Sequence, residues 1–119
     1  MPIIAFMSGF PRYHTFRVRG VLARHKVTIL IDGGASHNFL DATLVDRRRI
    51  STKEFDGFAV AIPSGHEMDC TRYVPKLKLT MGNYIVVDDL FIVDVPETNV
   101  VLGFQWLYYI GSYTTVDLG

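Results

Sequence analysis

The chain has 119 residues, of which 49% are hydrophobic and 20% charged; this fits one folded domain and excludes a disordered chain. Twelve Lys and Arg balance twelve Asp and Glu, so no net field draws it to nucleic acid or to an anionic membrane. Its one cysteine, Cys70, excludes an internal disulfide and suits a reducing, intracellular compartment.

Met1 to Met7 is apolar, but it is too short to span a bilayer and lacks the basic start and cleavage site of a secretory signal. Thr15 to Gly20 alternates with period two and predicts a half-buried strand. Val27 to Ile31 is β-branched and more deeply apolar, the pattern of a central strand, and it runs into Asp32-Gly33-Gly34. Asp41 to Arg47 predicts a short helix, with Asp41 as its N-cap and Leu40 and Leu44 one turn apart. Arg47-Arg48-Arg49 reads as the solvated end of that helix, where cations suit the dipole. Pro63-Ser64-Gly65-His66 separates two extended runs and predicts a hairpin tip. Lys76 to Met81 alternates again. Tyr84–Val87, Leu90–Val93 and Asn99–Leu102 read as three further strands. Phe104 to Tyr109, between Gly103 and Gly111, predicts a second short helix. Many short strands with turns between them indicate an all-β domain, a small barrel or sandwich.

Four histidines, at 14, 25, 37 and 66, lie scattered with no zinc-ligand spacing, so no metal is expected. Cys70 sits in the strand-like run Met68 to Thr71 and reads as a buried structural thiol rather than a nucleophile. Gly33-Gly34 has no following Lys or Gly and makes no phosphate loop. Asp32 has two readings. An Asp-Gly turn explains the dipeptide by itself. The flanks point elsewhere: three aliphatics carry Asp32 to the edge of the core, where an unpaired carboxylate is costly. The small residues after it let backbone N–H groups approach and hold it in place.

The stretch "LIDGGASHNFLDATLV" resembles the active-site segment of the retropepsin-like aspartic proteases, whose pattern is two hydrophobics, Asp, Ser or Thr, Gly, and Ala or Ser. The His-Asn-Phe continuation is similar to the protease domain in polyproteins of plant gypsy-type LTR retrotransposons. "NVVLGFQWLYYIG" is similar to the family's second element, with Val101, Leu102 and Gly103 as the two hydrophobics and Gly before a helix. "FDGFAVAIPSGHEMDC" resembles the flap hairpin and "LKLTMGNYIVVDDLFIVDV" the strands beyond it. The resemblance covers residues 13–117 of a single domain spanning 1–119, and implies a segment excised from a longer polyprotein. One departure stands out: Gly33 occupies the position where the family carries a hydroxyl that braces the two active-site loops across the dimer.

The resemblance implies a small closed β-barrel of retropepsin type with one or two short helices and a flap hairpin. It implies an aspartic endopeptidase that needs no cofactor and cuts a polyprotein inside the cell, including within retrotransposon particles. Asp32 is then the catalytic carboxylate, Gly33, Gly34 and Ala35 shape its loop, and Pro63, Ser64, Gly65 and His66 form the flap tip. Two carboxylates sharing a proton are required for this chemistry. Asp56-Gly57 lacks the aliphatic strand before it, and Asp41, Asp46, Asp69, Asp88, Asp89, Asp94 and Asp117 lack the loop. The second carboxylate must come from another copy, so the expected partners are a peptide substrate and a second chain, with no metal, membrane or direct nucleic-acid contact. Gly33 keeps a rival open: a catalytically weak or inactive module of the same fold that binds peptides or a partner. A purely structural segment of a polyprotein has little support from these residues.

Overall fold

The computed structural model describes residues 4–6, 15–62, 65–95 and 97–103. Its strands are β1 (Ile4–Phe6), β2 (Thr15–Leu22), β3 (His25–Asp32), β4 (Phe39–Asp41), β5 (Lys53–Ala61), β6 (Glu67–Met81), β7 (Tyr84–Val93) and β8 (Val100–Leu102). One helix, α1 (Ala42–Arg48), lies between β4 and β5. The strands join in the order β1-β5-β6-β2-β3-β8-β4-β7, and β7 pairs back onto β6. That last pairing closes six strands into a ring, with β5 and β1 continuing outward from β6. The architecture is the small, strand-dominated barrel of retropepsin type.

Strand β3 explains its own composition. Ile29 and Ile31 enter a core with Leu22, Leu40, Leu79, Leu90 and Leu102, while Leu30 packs on a second core around Phe39, Val60 and Val101. A strand covered on both faces has no need of polar alternation, hence the unbroken aliphatic run Ile29 to Ile31. Strand β2 is its antiparallel neighbour, from Thr15 opposite Asp32 to Leu22 opposite His25.

Two expected strands, Tyr84–Val87 and Leu90–Val93, are one continuous strand, β7. Asp88-Asp89 reads as a break but is absorbed by partners: Asp88 accepts from the Asn38 side chain and Asp89 from the Lys76 backbone N–H. Opposite, β6 bulges between Val74 and Leu77. Pro75, which has no N–H to give to a ladder, sits in that bulge, so β6 also runs unbroken through it. Asp56-Gly57 lies in another bulge, between Glu54 and Phe58, with Gly57 at φ 97°.

The predicted first helix forms, with Arg47 and Arg48 in its last turn and Arg49 ending it in the left-handed region. Asp41 holds the N-cap position, yet its side chain makes no cap bond. Its Oδ1 instead accepts from the Val95 N–H and ties the start of the helix to the chain beyond β7. The predicted helix at 104–109 lies outside the described residues. No helix among the described residues is long and apolar enough to cross a membrane.

Candidate active site

Strand β8 lies between β3 and β4, parallel to the first and antiparallel to the second. The chain leaving β3 at Asp32 must therefore cross over the end of β8 to reach β4. Residues 33–38 make that crossing, and Gly103, immediately after β8, lies beneath it. A Cβ on Gly103 would stand 2.5 Å from the carbonyl oxygens of both Ala35 and His37. Glycine is required by this close approach, and the approach follows from the strand order.

The crossing begins with a turn in which the Ala35 N–H donates to the Asp32 carbonyl at 3.1 Å. The Gly34 N–H donates to Asp32 Oδ1 at 2.9 Å. Asp32 is fully buried, as is Ala35, while Gly33 is exposed. The carboxylate is thus oriented by a backbone N–H at the closed end of a central strand.

Asn38 ends the crossing; in the sequence it stands out only as part of the His-Asn-Phe continuation, with no role attached to it. Fully buried, it accepts from the Gly103 N–H through Oδ1 at 2.8 Å and donates through Nδ2 to Asp88 Oδ2 at 3.1 Å. Its carbonyl accepts from the Phe91 N–H. One side chain therefore joins the crossing loop, the end of β8 and strand β7. A buried amide bonded through both its oxygen and its nitrogen is a strong positional constraint. The signal available in the sequence was an Asn six residues beyond the Asp, which has no meaning until its partners are known.

His37 lies between these two residues and faces an aromatic cluster. Its ring centroid is 5.1 Å from Phe58 and 5.5 Å from Phe91, both edge-on. Its Nδ1 hydrogen-bonds the Ser36 hydroxyl at 2.8 Å. Burial lowers its pKa from the usual histidine value, so the neutral ring is favoured. Phe58 belongs to β5, and so the β5–β6 hairpin packs directly on the loop that follows Asp32.

The hairpin's far end is a turn. The Gly65 N–H donates to the Ile62 carbonyl, the Ile62 N–H donates to the His66 carbonyl, and Gly65 has φ 87°. Gly65 and His66 are exposed; Pro63 and Ser64 lie outside the described residues. Val101 and Leu102 are fully buried in β8, where Leu102 pairs with Ile31 beside Asp32. Cys70 is buried in β6, and burial raises its thiol pKa, which suits a structural role. Among the described residues no three His, Cys, Asp or Glu side chains gather as metal ligands would. The predicted Asp32 loop and the predicted Val101-Leu102-Gly103 element, far apart in the chain, are in contact.

A search of curated proteins finds no match to the chain. The family model described as retroviral aspartyl protease matches residues 15–116. With the match covering most of the chain, the ring of strands and the buried Asp in its crossing loop have a common origin: the chain belongs to the retroviral aspartyl protease family.

Proposed function

We propose that this chain is a homodimeric aspartic endopeptidase that cuts peptide bonds in a polyprotein, with Asp32 from each copy as the catalytic pair. The observation that carries the reading is the placement of Asp32: a buried carboxylate at the end of β3, aimed by the Gly34 N–H. A single domain, covering the family match and released from a longer retrotransposon polyprotein, is part of the same proposal. Two such carboxylates close together cannot both stay ionised, and they hold one proton between them. The ionised partner takes a proton from water as the water attacks the scissile carbonyl carbon. The protonated partner gives its proton to the carbonyl oxygen. The tetrahedral diol then expels the amine, which takes the proton that came from water, while a hydroxyl proton of the diol passes to the other, now ionised, carboxylate and restores the shared-proton pair. The buried carboxylate must meet both water and peptide, so movement of its surroundings belongs to this mechanism. The β5–β6 hairpin, with its tip at Gly65 and His66, acts as the flap that closes over the bound peptide and excludes bulk water.

Exposed Gly33 favours a second reading. Without a hydroxyl at this position the two loops lose a brace, and the domain binds peptides with little turnover. Asp32→Asn separates the two readings. Asn keeps an Oδ1 to accept from the Gly34 N–H, so the variant folds, but it cannot take a proton from water. The endopeptidase reading expects casein cleavage by wild type and none by the variant. Tight binding of a peptide-like aspartic protease inhibitor, with no cleavage by either protein, supports the binding module.

A further inference from the structure

The outer face of the barrel, away from Asp32, carries a surface that the proposed chemistry leaves unused. Of the large hydrophobics that stand exposed, Val21 lies on β2 and Ile85 and Val87 on β7, the two strands that flank β6, at 43%, 55% and 50% exposure. The strand register puts them on one face. Lys26 of β3 is opposite Val21 of β2, Val21 is opposite Thr80 of β6, and Thr80 is opposite Ile85 of β7. Lys78 is opposite Val87 in the adjoining row. Cross-strand partners share a face of a sheet, so these residues form one continuous strip.

The strip is framed by cations. Arg19, Lys26 and Lys78 are exposed, and the rows contain no acid. The ion pairs among the described residues are Arg17 with Glu97 and Arg72 with Asp46, so these three cations are left without acidic partners there. In a chain whose formal charge sums to zero, this is a local excess of one sign. The Val21 end of the strip is also concave: a groove of about 600 Å³ there is lined by Arg19, Val21, Lys26 and Thr80, while Ile85, Val87 and Lys78 lie outside it.

We propose that this face docks an acidic segment of a partner protein, one that carries aliphatic side chains between its carboxylates. The aliphatic residues cover Val21, Ile85 and Val87, and the carboxylates meet Arg19, Lys26 and Lys78. Other occupants fit less well. A second copy of the chain would set the same cations against one another across a two-fold axis, which is repulsive. A single-stranded nucleic acid would want aromatic platforms to stack on, and the strip offers short aliphatics. A membrane-binding face uses large apolar groups such as Trp, Phe and Leu that reach into the lipid, whereas this one offers two valines and one isoleucine.

The test uses a fluorescent peptide of alternating Glu and Val, with an alternating Lys and Val peptide as control. Wild type binds the acidic peptide, more weakly as salt is raised, and ignores the basic one. Lys78→Glu weakens binding by about tenfold or more, because the reversed charge meets like charge. Ile85→Ser, at an exposed site where folding is preserved, weakens it by a similar order, about tenfold. Backbone amide shifts on titration centre on Val21, Thr80, Ile85 and Val87, and persist when a peptide-like aspartic protease inhibitor fills the cleft. Four results would each overturn the proposal: no binding of the acidic peptide, binding indifferent to Lys78→Glu and Ile85→Ser, displacement by the inhibitor, or an oligonucleotide or phosphatidylserine vesicle binding through these same residues in its place.

Discussion

Gly103→Ala tests whether the crossing of residues 33–38 over β8 holds the Asp32 loop. The added methyl would lie 2.5 Å from two carbonyl oxygens, about 0.9 Å inside the 3.4 Å at which ordinary contact begins. Neither carbonyl is free to retreat. Ala35 is buried and its N–H is engaged with the Asp32 carbonyl, and the loop's far end is tied through Asn38 to the Gly103 N–H itself. Overfilling a packed interior costs ~1–3 kcal/mol, and a clash with backbone on two sides belongs at the upper end. For a domain of this size that is a fall in Tm of about 10–20 °C. Gly82→Ala is the control: Gly82 has φ +56° but open space around its Cβ position, so it bears only the cost of the left-handed conformation, ~1–2 kcal/mol. Thermal unfolding by circular dichroism compares the three proteins. Cleavage supplies a second readout, since displacement of the loop by about 1 Å costs something like a hundredfold in rate. If Gly103→Ala melts no lower than Gly82→Ala, the crossing is not the constraint described here and the loop is held by something else.

Further expectations follow from the same site. Gly33 is exposed and is not among the glycines with positive φ, so Gly33→Thr introduces a hydroxyl without backbone strain. If the proposed dimer forms, the substitution should tighten it by about tenfold in sedimentation equilibrium, as two added hydrogen bonds would; a looser dimer would refute the bracing argument. Cleavage by a carboxylate pair sharing one proton has a bell-shaped kcat/KM profile on the acid side of neutrality. A flat profile running into alkaline pH would point to other chemistry. Burial lowers the His37 pKa below its ordinary 6.5, so as pH falls the unfolded chain takes up this proton first. The stability gained from neutral His37 is complete above that value and is lost as pH falls from it toward the lowered folded value. His37→Phe keeps an aromatic ring against Phe58 and Phe91 and should lessen the drop in Tm between neutral and mildly acidic buffer; an unchanged drop would show that His37 does not carry it.

Several features were legible because they are local. The aliphatic run before Asp32, the alternation in Thr15 to Gly20 and the turn at Gly65 each report the pleat or φ preference of a few adjacent residues. The helix after Asp41 was legible for the same reason. The division at Asp88-Asp89 was misread because two adjacent carboxylates resemble a turn. They remain in a strand here only because Asn38, 50 residues away, and Lys76 across the bulge satisfy them.

By itself the sequence determined an all-β chain with one carboxylate set in a loop of small residues. Those properties depend on side-chain volume, polarity and period along the chain, which neighbours in sequence share. Tertiary structure alone decided that β8 threads between β3 and β4, so that Gly103 lies under the loop after Asp32. It also decided that Asn38 reaches Gly103 across 65 residues and that Phe58 of the hairpin touches His37. The physical reason is that a hydrogen bond or a steric limit between distant residues is set by which strands become neighbours. Strand order is fixed by closing the whole ring over its core, and no single segment carries that information.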